Sequence, residues 1–160
     1  METELTNGEN VTGFAQLLKA SLMLPETDIK TYSPLTLAFI GDSIFDLIIR
    51  TVVVESGNAP VNKLHKRCST FVQASAQADL YHMIKEMLTE EETAIFKRGR
   101  NAKSFTTAKN AGVVEYRTAT GLEALIGYLY LTDQTARLLE LIKPQVEKII
   151  GDNTTLQLEK

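Results

Sequence analysis

The chain has one cysteine, Cys68, in 160 residues, so no internal disulfide can hold it together. A lone thiol inside an apolar, periodic segment is expected to be the buried, reduced side chain of an intracellular protein. A long hydrophobic run is also lacking: the longest, residues 47–54, is interrupted by Arg50 and far too short to cross a bilayer. The opening METELTNGEN is polar and acidic, without the basic start and apolar stretch of a secretory leader. A cytoplasmic protein with no membrane partner is therefore expected. Nor is there an overall excess of positive charge. The net charge of −3 argues mildly against a nucleic-acid partner, because affinity for phosphates comes mainly from Lys and Arg.

What is present points elsewhere. The chain is 44% hydrophobic, enough for one compact domain with a real core. Its charge is unevenly placed: residues 97–117 hold Lys97, Arg98, Arg100, Lys103, Lys109 and Arg117 against the single acid Glu115. A polyanion responds to the local field rather than the total.

Apolar spacing predicts helices throughout. Residues 1–10 are expected to be disordered, residues 11–151 to form one all-α domain, and residues 152–160 to be a mobile tail. Phe14, Leu17, Leu18 and Leu22 fall at helical spacing before Pro25. Ser33-Pro34 reads as an N-cap followed by proline at the first helical position, opening a helix to about Glu55 that is apolar nearly all round. Its β-branched tail, 48–54, would also suit a buried strand, but no turn signal separates it from what precedes. After a loop at 57–60, one helical stripe runs from Leu64 through Cys68, Phe71, Leu80 and Ile84 to Met87 or Leu88. Thr89 and Glu92 form a capping box for a short helix that is expected to end in the basic loop KRGRNAKSFTTAKNAG (97–112). Residues 115–131 form another apolar helix. Thr132 and Asp133 are expected to start the last, ending at Gly151 and kinked or divided by Pro144.

Two acids stand where acids are costly: Asp42 within 37–49 and Glu123 within 121–131, both apolar. A buried carboxylate needs a partner, a hydrogen-bonding network or a metal. Either acid could be satisfied structurally, Asp42 by Arg50 or another base, Glu123 by Arg117 or Lys109. Alternatively, two acids on two central helices could converge on a hard cation such as magnesium. Glycines beside them (Gly41, Gly121, Gly127) suggest close approach of backbone or ligand, since each costs about 1 kcal/mol in a helix interior. Asp46, one turn beyond Asp42, is expected to pair with Arg50.

At LAFIGDSIF (37–45) and LEALIGYLYL (122–131) the sequence resembles ribonuclease III. Asp42 matches the aspartate that follows glycine in the family signature, and Glu123 the glutamate of its later Phe-Glu-Ala-Leu element. The resemblance departs at Leu35 and Ala38, where the signature has glutamates, and at Thr120, where the later element has an aspartate. Two of the family's four metal-coordinating acids, those at Ala38 and Thr120, are thus replaced. With no separate double-stranded RNA-binding domain expected, and with LHK at 64–66 and the KRGRNAKS loop, the chain looks like the Mini-ribonuclease III subfamily.

The resemblance implies a homodimeric helical endonuclease that hydrolyses double-stranded RNA, with Asp42 and Glu123 as catalytic and magnesium-binding residues. It further implies maturation of the ends of the large-subunit (23S) ribosomal RNA precursor, with a ribosomal protein as a conceivable helper. Lys97, Arg98, Arg100, Asn101 and Lys103 would contact RNA, with His65, Lys66 and Arg67 as a smaller patch. The very apolar helix from Pro34 is the expected dimer element. A catalytically weakened RNA- or ribosome-binding module, or a helical dimer that scaffolds protein partners, would be the alternatives.

Overall fold

Ser33 and Pro34 open the central helix of the protein. In the computed structural model, which describes residues 13–103 and 112–158, the Ser33 hydroxyl accepts the Thr36 amide at 3.1 Å and Pro34 is the first helical residue. The described residues form seven helices and no strand: α1 (Phe14–Ser21), α2 (Pro34–Glu55), α3 (Val61–Val72), α4 (Ala74–Ile84), α5 (Glu90–Asn101), α6 (Gly112–Leu131) and α7 (Thr135–Leu158). The β-branched end of α2 stays helical, as the absence of a turn signal predicts. Residues 1–10, expected to be disordered, lie outside the described residues.

α2 and α6 are the two helices on which the others rest. α4 and α5 pack on α6, α3 packs on α2, and α7 closes the remaining side. The main core draws Phe45, Ile49 and Val53 from α2, Leu122, Leu125, Ile126 and Leu129 from α6, Leu80 and Ile84 from α4, and Ile142 and Ile149 from α7. Cys68 is buried in the same cluster.

The α2–α6 crossing is made by backbone rather than side chains. A methyl group at Gly41 would collide with the carbonyl oxygen of Glu123 and lie 2.8 Å from the Gly127 nitrogen. One turn along, a methyl at Gly127 would collide with the carbonyl oxygen of Leu37 and lie 3.0 Å from Ile40 Cγ2. Two of the glycines that looked costly in helices, Gly41 and Gly127, are thus explained by close approach of main chain, whereas a methyl at the third, Gly121, would lie 2.7 Å from the Phe96 ring.

Several boundaries differ from expectation for identifiable reasons. The stripe from Leu64 to Met87 is two helices, because Gln73 takes an extended conformation (φ −65°, ψ 157°) between α3 and α4. Two buried glutamines hold this break from outside: Gln77 Nε2 donates to the Val72 carbonyl (2.9 Å) and Gln145 Nε2 to the Phe71 carbonyl (2.9 Å). They satisfy helix-terminal carbonyls that would otherwise be orphaned, and neither can be seen in local periodicity. Asp133 does not start α7 but ends α6 in the left-handed region (φ 59°), a place that aspartate tolerates better than most residues. Pro144 lies inside α7 without ending it, flanked by buried Leu141, Ile142 and Gln145. The helix continues past Gly151 to Leu158, so much of the segment expected as a tail is helical. α1 turns small Ala15 inward and leaves Phe14, Leu17 and Leu22 exposed, the reverse of its expected apolar face.

The capping box at Thr89 forms as predicted, with both of its hydrogen bonds present. The same Glu92 also takes a fork from Arg137, Nε to Oε2 at 2.9 Å and a terminal nitrogen to Oε1 at 2.8 Å. That nitrogen reaches the Met87 carbonyl as well (2.7 Å), so α7 is tied to the start of α5. The fork holds the Glu92 carboxyl below its ordinary range.

The glycine contact predicts opposite signs for one chemical change. Gly127→Ala should lower stability by about 2–4 kcal/mol, overpacking outweighing roughly 1 kcal/mol of helix propensity. Gly151→Ala, on a helix with nothing within 4 Å of the added carbon, should instead raise it by up to about 1 kcal/mol. Urea denaturation of both variants is the check, and equal effects would mean that the crossing has slack.

Candidate active site

Helix α2 is not covered on all sides, and this corrects the reading of Asp42. Asp42 and Ser43 are exposed, and so are Phe39 and Leu47 on the same helix. The apolar residues around Asp42 in the sequence made its position look buried, but in the single chain they share an open face. Glu123 is half-buried on α6, between fully buried Leu122 and Ala124. Because the Gly41 backbone lies against the Glu123 carbonyl, Asp42 starts from main chain already in contact with that of Glu123.

Glu123 feels this proximity. Its carboxyl is pushed up to about 7, first by desolvation and further by the charge of Asp42, while a hydrogen bond from Gln77 works in the opposite direction. Gln77 Nε2 donates to Glu123 Oε1 at 3.1 Å. The partner found for Glu123 among the described residues is therefore an amide on α4 rather than Arg117, which is exposed; Lys109 lies outside the described residues. Asp46 does not turn to the acids but pairs with Arg50 at 2.8 Å, as its spacing predicts.

The positions where the resemblance places further acids are built differently. Ala38 is buried in a small apolar cluster with Leu37, Ile95 and Ala124, which has no place for an unpaired carboxylate. Thr120 is buried one turn before Glu123, and its hydroxyl donates to the Tyr116 carbonyl at 3.0 Å. Among the described residues no cluster of three or more histidines, cysteines and acids could hold a metal ion. What the site offers is one hydrated and one desolvated carboxylate that repel each other. That donor set suits a single hard cation, which would relieve the repulsion.

The first part of the expected basic loop is helical, and residues 104–111 of it lie outside the described residues. α5 runs to Asn101, so Lys97, Arg98, Arg100 and Asn101 belong to its last turns, and Lys103 follows directly. The buried glycine in this segment explains why the helix continues. A methyl at Gly99 would lie 2.7 Å from Ala124 Cβ and 3.0 Å from Gly121 Cα, so Gly99 lets α5 rest on α6 at the turn that carries Glu123. Lys97, Arg98, Asn101 and Lys103 are exposed, and Arg100 lies 5.9 Å from the centre of the Phe96 ring. On α3, His65 and Lys66 are exposed, whereas Arg67 is half-buried with one guanidinium nitrogen sequestered. Because α3 packs on α2 and α4 while α5 packs on α6, the two patches stand on different supports.

Comparison with known proteins matches this arrangement to a family. The Ribonuclease III domain family matches residues 35–134, which contain both acids and the end of α5. Proteins named Mini-ribonuclease 3 from Clostridium tetani and Enterococcus faecalis are each 49% identical, over 72% and 76% of this chain and 78% and 94% of their own lengths. The chain belongs to the ribonuclease III family, in its Mini-ribonuclease III branch. A crystal structure of a Fusobacterium nucleatum protein superposes with a TM-score of 0.70 at 34% identity, covering 77% of this chain and 94% of that one.

As a member of the ribonuclease III family, the protein is an RNA-cleaving endoribonuclease, and the family acts on double-stranded RNA. No helix among the described residues is long and apolar enough to cross a membrane. Gln77 and Arg137 escaped the sequence reading. A glutamine inside the apolar stripe between Val72 and Leu80 was the available signal for the first; Arg137 gave none, since its partner lies 45 residues away.

The raised Glu123 carboxyl gives a signed prediction. The folded chain keeps this proton up to about 7, and the unfolded chain releases it near its ordinary value of 4.5. Between those values the native state binds more protons, so stability falls as pH rises and levels off above the window. Glu123→Gln in metal-free buffer should therefore gain on the wild type by on the order of 2 kcal/mol between about pH 5 and about pH 8. Urea midpoints at both pH values are the readout, and a constant difference would refute the burial of this charge.

Proposed function

We propose that this ribonuclease cleaves double-stranded RNA with magnesium held by Asp42 and Glu123. The observation that carries this reading is the pairing of two mutually repelling carboxylates at a fixed backbone contact, one of them desolvated. The ion, when bound, would supply a nucleophilic water and stabilise charge on the leaving oxygen. The chain's own residues hold the site around it: Gly41 and Gly127 set the spacing of the helices, and Gln77 holds one oxygen of Glu123.

Lys97, Arg98, Arg100, Asn101 and Lys103 are assigned to phosphates and 2′-hydroxyls, with His65, Lys66 and Arg67 as a second contact. Support comes from the exposure of Lys97, Arg98, Asn101, Lys103, His65 and Lys66 and from the seating of α5 on α6 beside Glu123. A homodimer is proposed through α2, whose Phe39 is 79% exposed in the single chain, with Leu47 and Val54 also uncovered. Isolated large apolar groups are ordinary on a surface, but a run of them on one helix suits a symmetric interface. The ends of the 23S ribosomal RNA precursor are proposed as the substrate, as the family resemblance in the sequence implies, with a ribosomal protein helper and a cytoplasmic site of action.

Incubation with a long RNA duplex tests the chemistry. Wild type with magnesium should cut, whereas EDTA or Asp42→Asn should abolish cutting while leaving the fold and duplex binding intact. Reversing Lys97 and Arg98 should make duplex binding less salt-dependent, with the slope falling by roughly one or two. Cleavage by Asp42→Asn would remove the metal assignment, and an unchanged slope the RNA contact. A precursor carrying the 23S ends, cut at those ends in preference to a random duplex, is the outcome expected for the substrate.

Sedimentation tests the dimer separately. Phe39→Asp should shift the protein from dimer to monomer at micromolar concentration. A wild type that sediments as a monomer overturns the interface.

A further inference from the structure

We propose that Gln77 is a positioning residue that fixes the orientation of the Glu123 carboxylate for its cation, a role that rests on the magnesium site proposed above. Gln77 is 3% exposed and comes from α4, a helix that carries neither of the two acids. Its one amide nitrogen serves two acceptors at once, the Val72 carbonyl at 2.9 Å and Glu123 Oε1 at 3.1 Å.

The direction of the amide is settled by those acceptors. Turned over, it would set its oxygen against a carbonyl and a carboxylate, neither of which has a proton to give once Glu123 is ionised. In the orientation adopted, Gln77 Oε1 is buried and makes no hydrogen bond among the described residues. A buried polar atom left so is uncommon and calls for a reason. The reason here is that both protons of the nitrogen are needed on the other side.

Gln145 separates the two roles of the amide. It is 1% exposed, donates to the neighbouring Phe71 carbonyl at 2.9 Å, and likewise leaves its Oε1 buried without a partner. Both glutamines therefore cap the end of α3, but only Gln77 extends the hydrogen bond to Glu123. The break at Gln73 places the fourth residue of α4 where it can do so, with the Gln77 amide bonded back to the Gln73 carbonyl at 3.1 Å. A carboxylate held in this way is oriented before any ion arrives. Outer groups that orient metal ligands typically contribute roughly 10–100-fold in affinity or activity.

The test is direct binding of Mn2+, as a spin probe for the magnesium site, to the intact protein without RNA, followed by electron paramagnetic resonance. Gln77→Met removes the donor at similar volume, and Gln77→Asn keeps an amide that is too short to reach Glu123. Both should weaken Mn2+ binding roughly tenfold or more and raise the magnesium needed for half-maximal cleavage in parallel. The KM for RNA at saturating magnesium should stay within about twofold, because the amide acts on the ion's ligand and not on the duplex. Gln145→Met should lower thermal stability through the end of α3 and leave Mn2+ affinity unchanged. Wild-type affinity in both Gln77 variants overturns the proposal, as does an equal loss in Gln145→Met, which would trace the effect to the helix end. If the wild type itself binds no Mn2+, or if Asp42→Asn and Glu123→Gln bind it normally, the underlying metal site fails and this role falls with it.

Discussion

The contact between the backbones of α2 and α6 is the constraint on which the rest depends. Where Gly41 meets the Glu123 carbonyl and Gly127 meets that of Leu37, no side chain separates the helices. Most helix pairs stand 8–10 Å apart, at a spacing set by the side chains between them. Here atomic radii set it, so the two acid-bearing segments cannot drift apart without opening the crossing. Phe45, Ile49, Leu122 and Leu125 then fill the space that the close approach defines. α5 follows the same principle, with Gly99 against Gly121 and Ala124. A stable core and a fixed spacing of the two acid-bearing segments are two results of one contact.

The pair is unequal, and the inequality is informative. Asp42 sits in water on a face that also exposes Phe39 and Leu47, whereas Glu123 is desolvated and holds its proton up to about 7. A fold selected for stability alone would replace Glu123 with a neutral group. Retaining a strained acid fits the general pattern in which functional sites break rules that the rest of a structure obeys. The buried amide oxygen of Gln77 is a second such exception at the same place.

Helix content and the starts of α2 and α5 were legible in the sequence because their causes are local: Ser33-Pro34, the Thr89–Glu92 capping box, and apolar spacing within a turn or two. The Asp46–Arg50 pair was legible for the same reason. What failed was set by distant residues. The division of α3 from α4 depends on Gln145, and the extension of α5 through Gly99 depends on α6. The exposure of Asp42 was misread because apolar neighbours in sequence do not reveal which helix faces find a partner. Gln77 was missed because a glutamine is informative only once its acceptors are known.

The capping of α3 by Gln77 and Gln145 also bears on the order in which the chain assembles. One cap is supplied 5 residues away and the other 74 residues away. The last turn of α3 is thus a nonlocal structure, completed only after the entropy of closing a long loop has been overcome. In a nascent chain the break at Gln73 stays unsupported on that side until α7 has been made and docked. Both carbonyls at the end of α3 are therefore capped only once α7 is in place, whereas the Gln77 cap needs only α4.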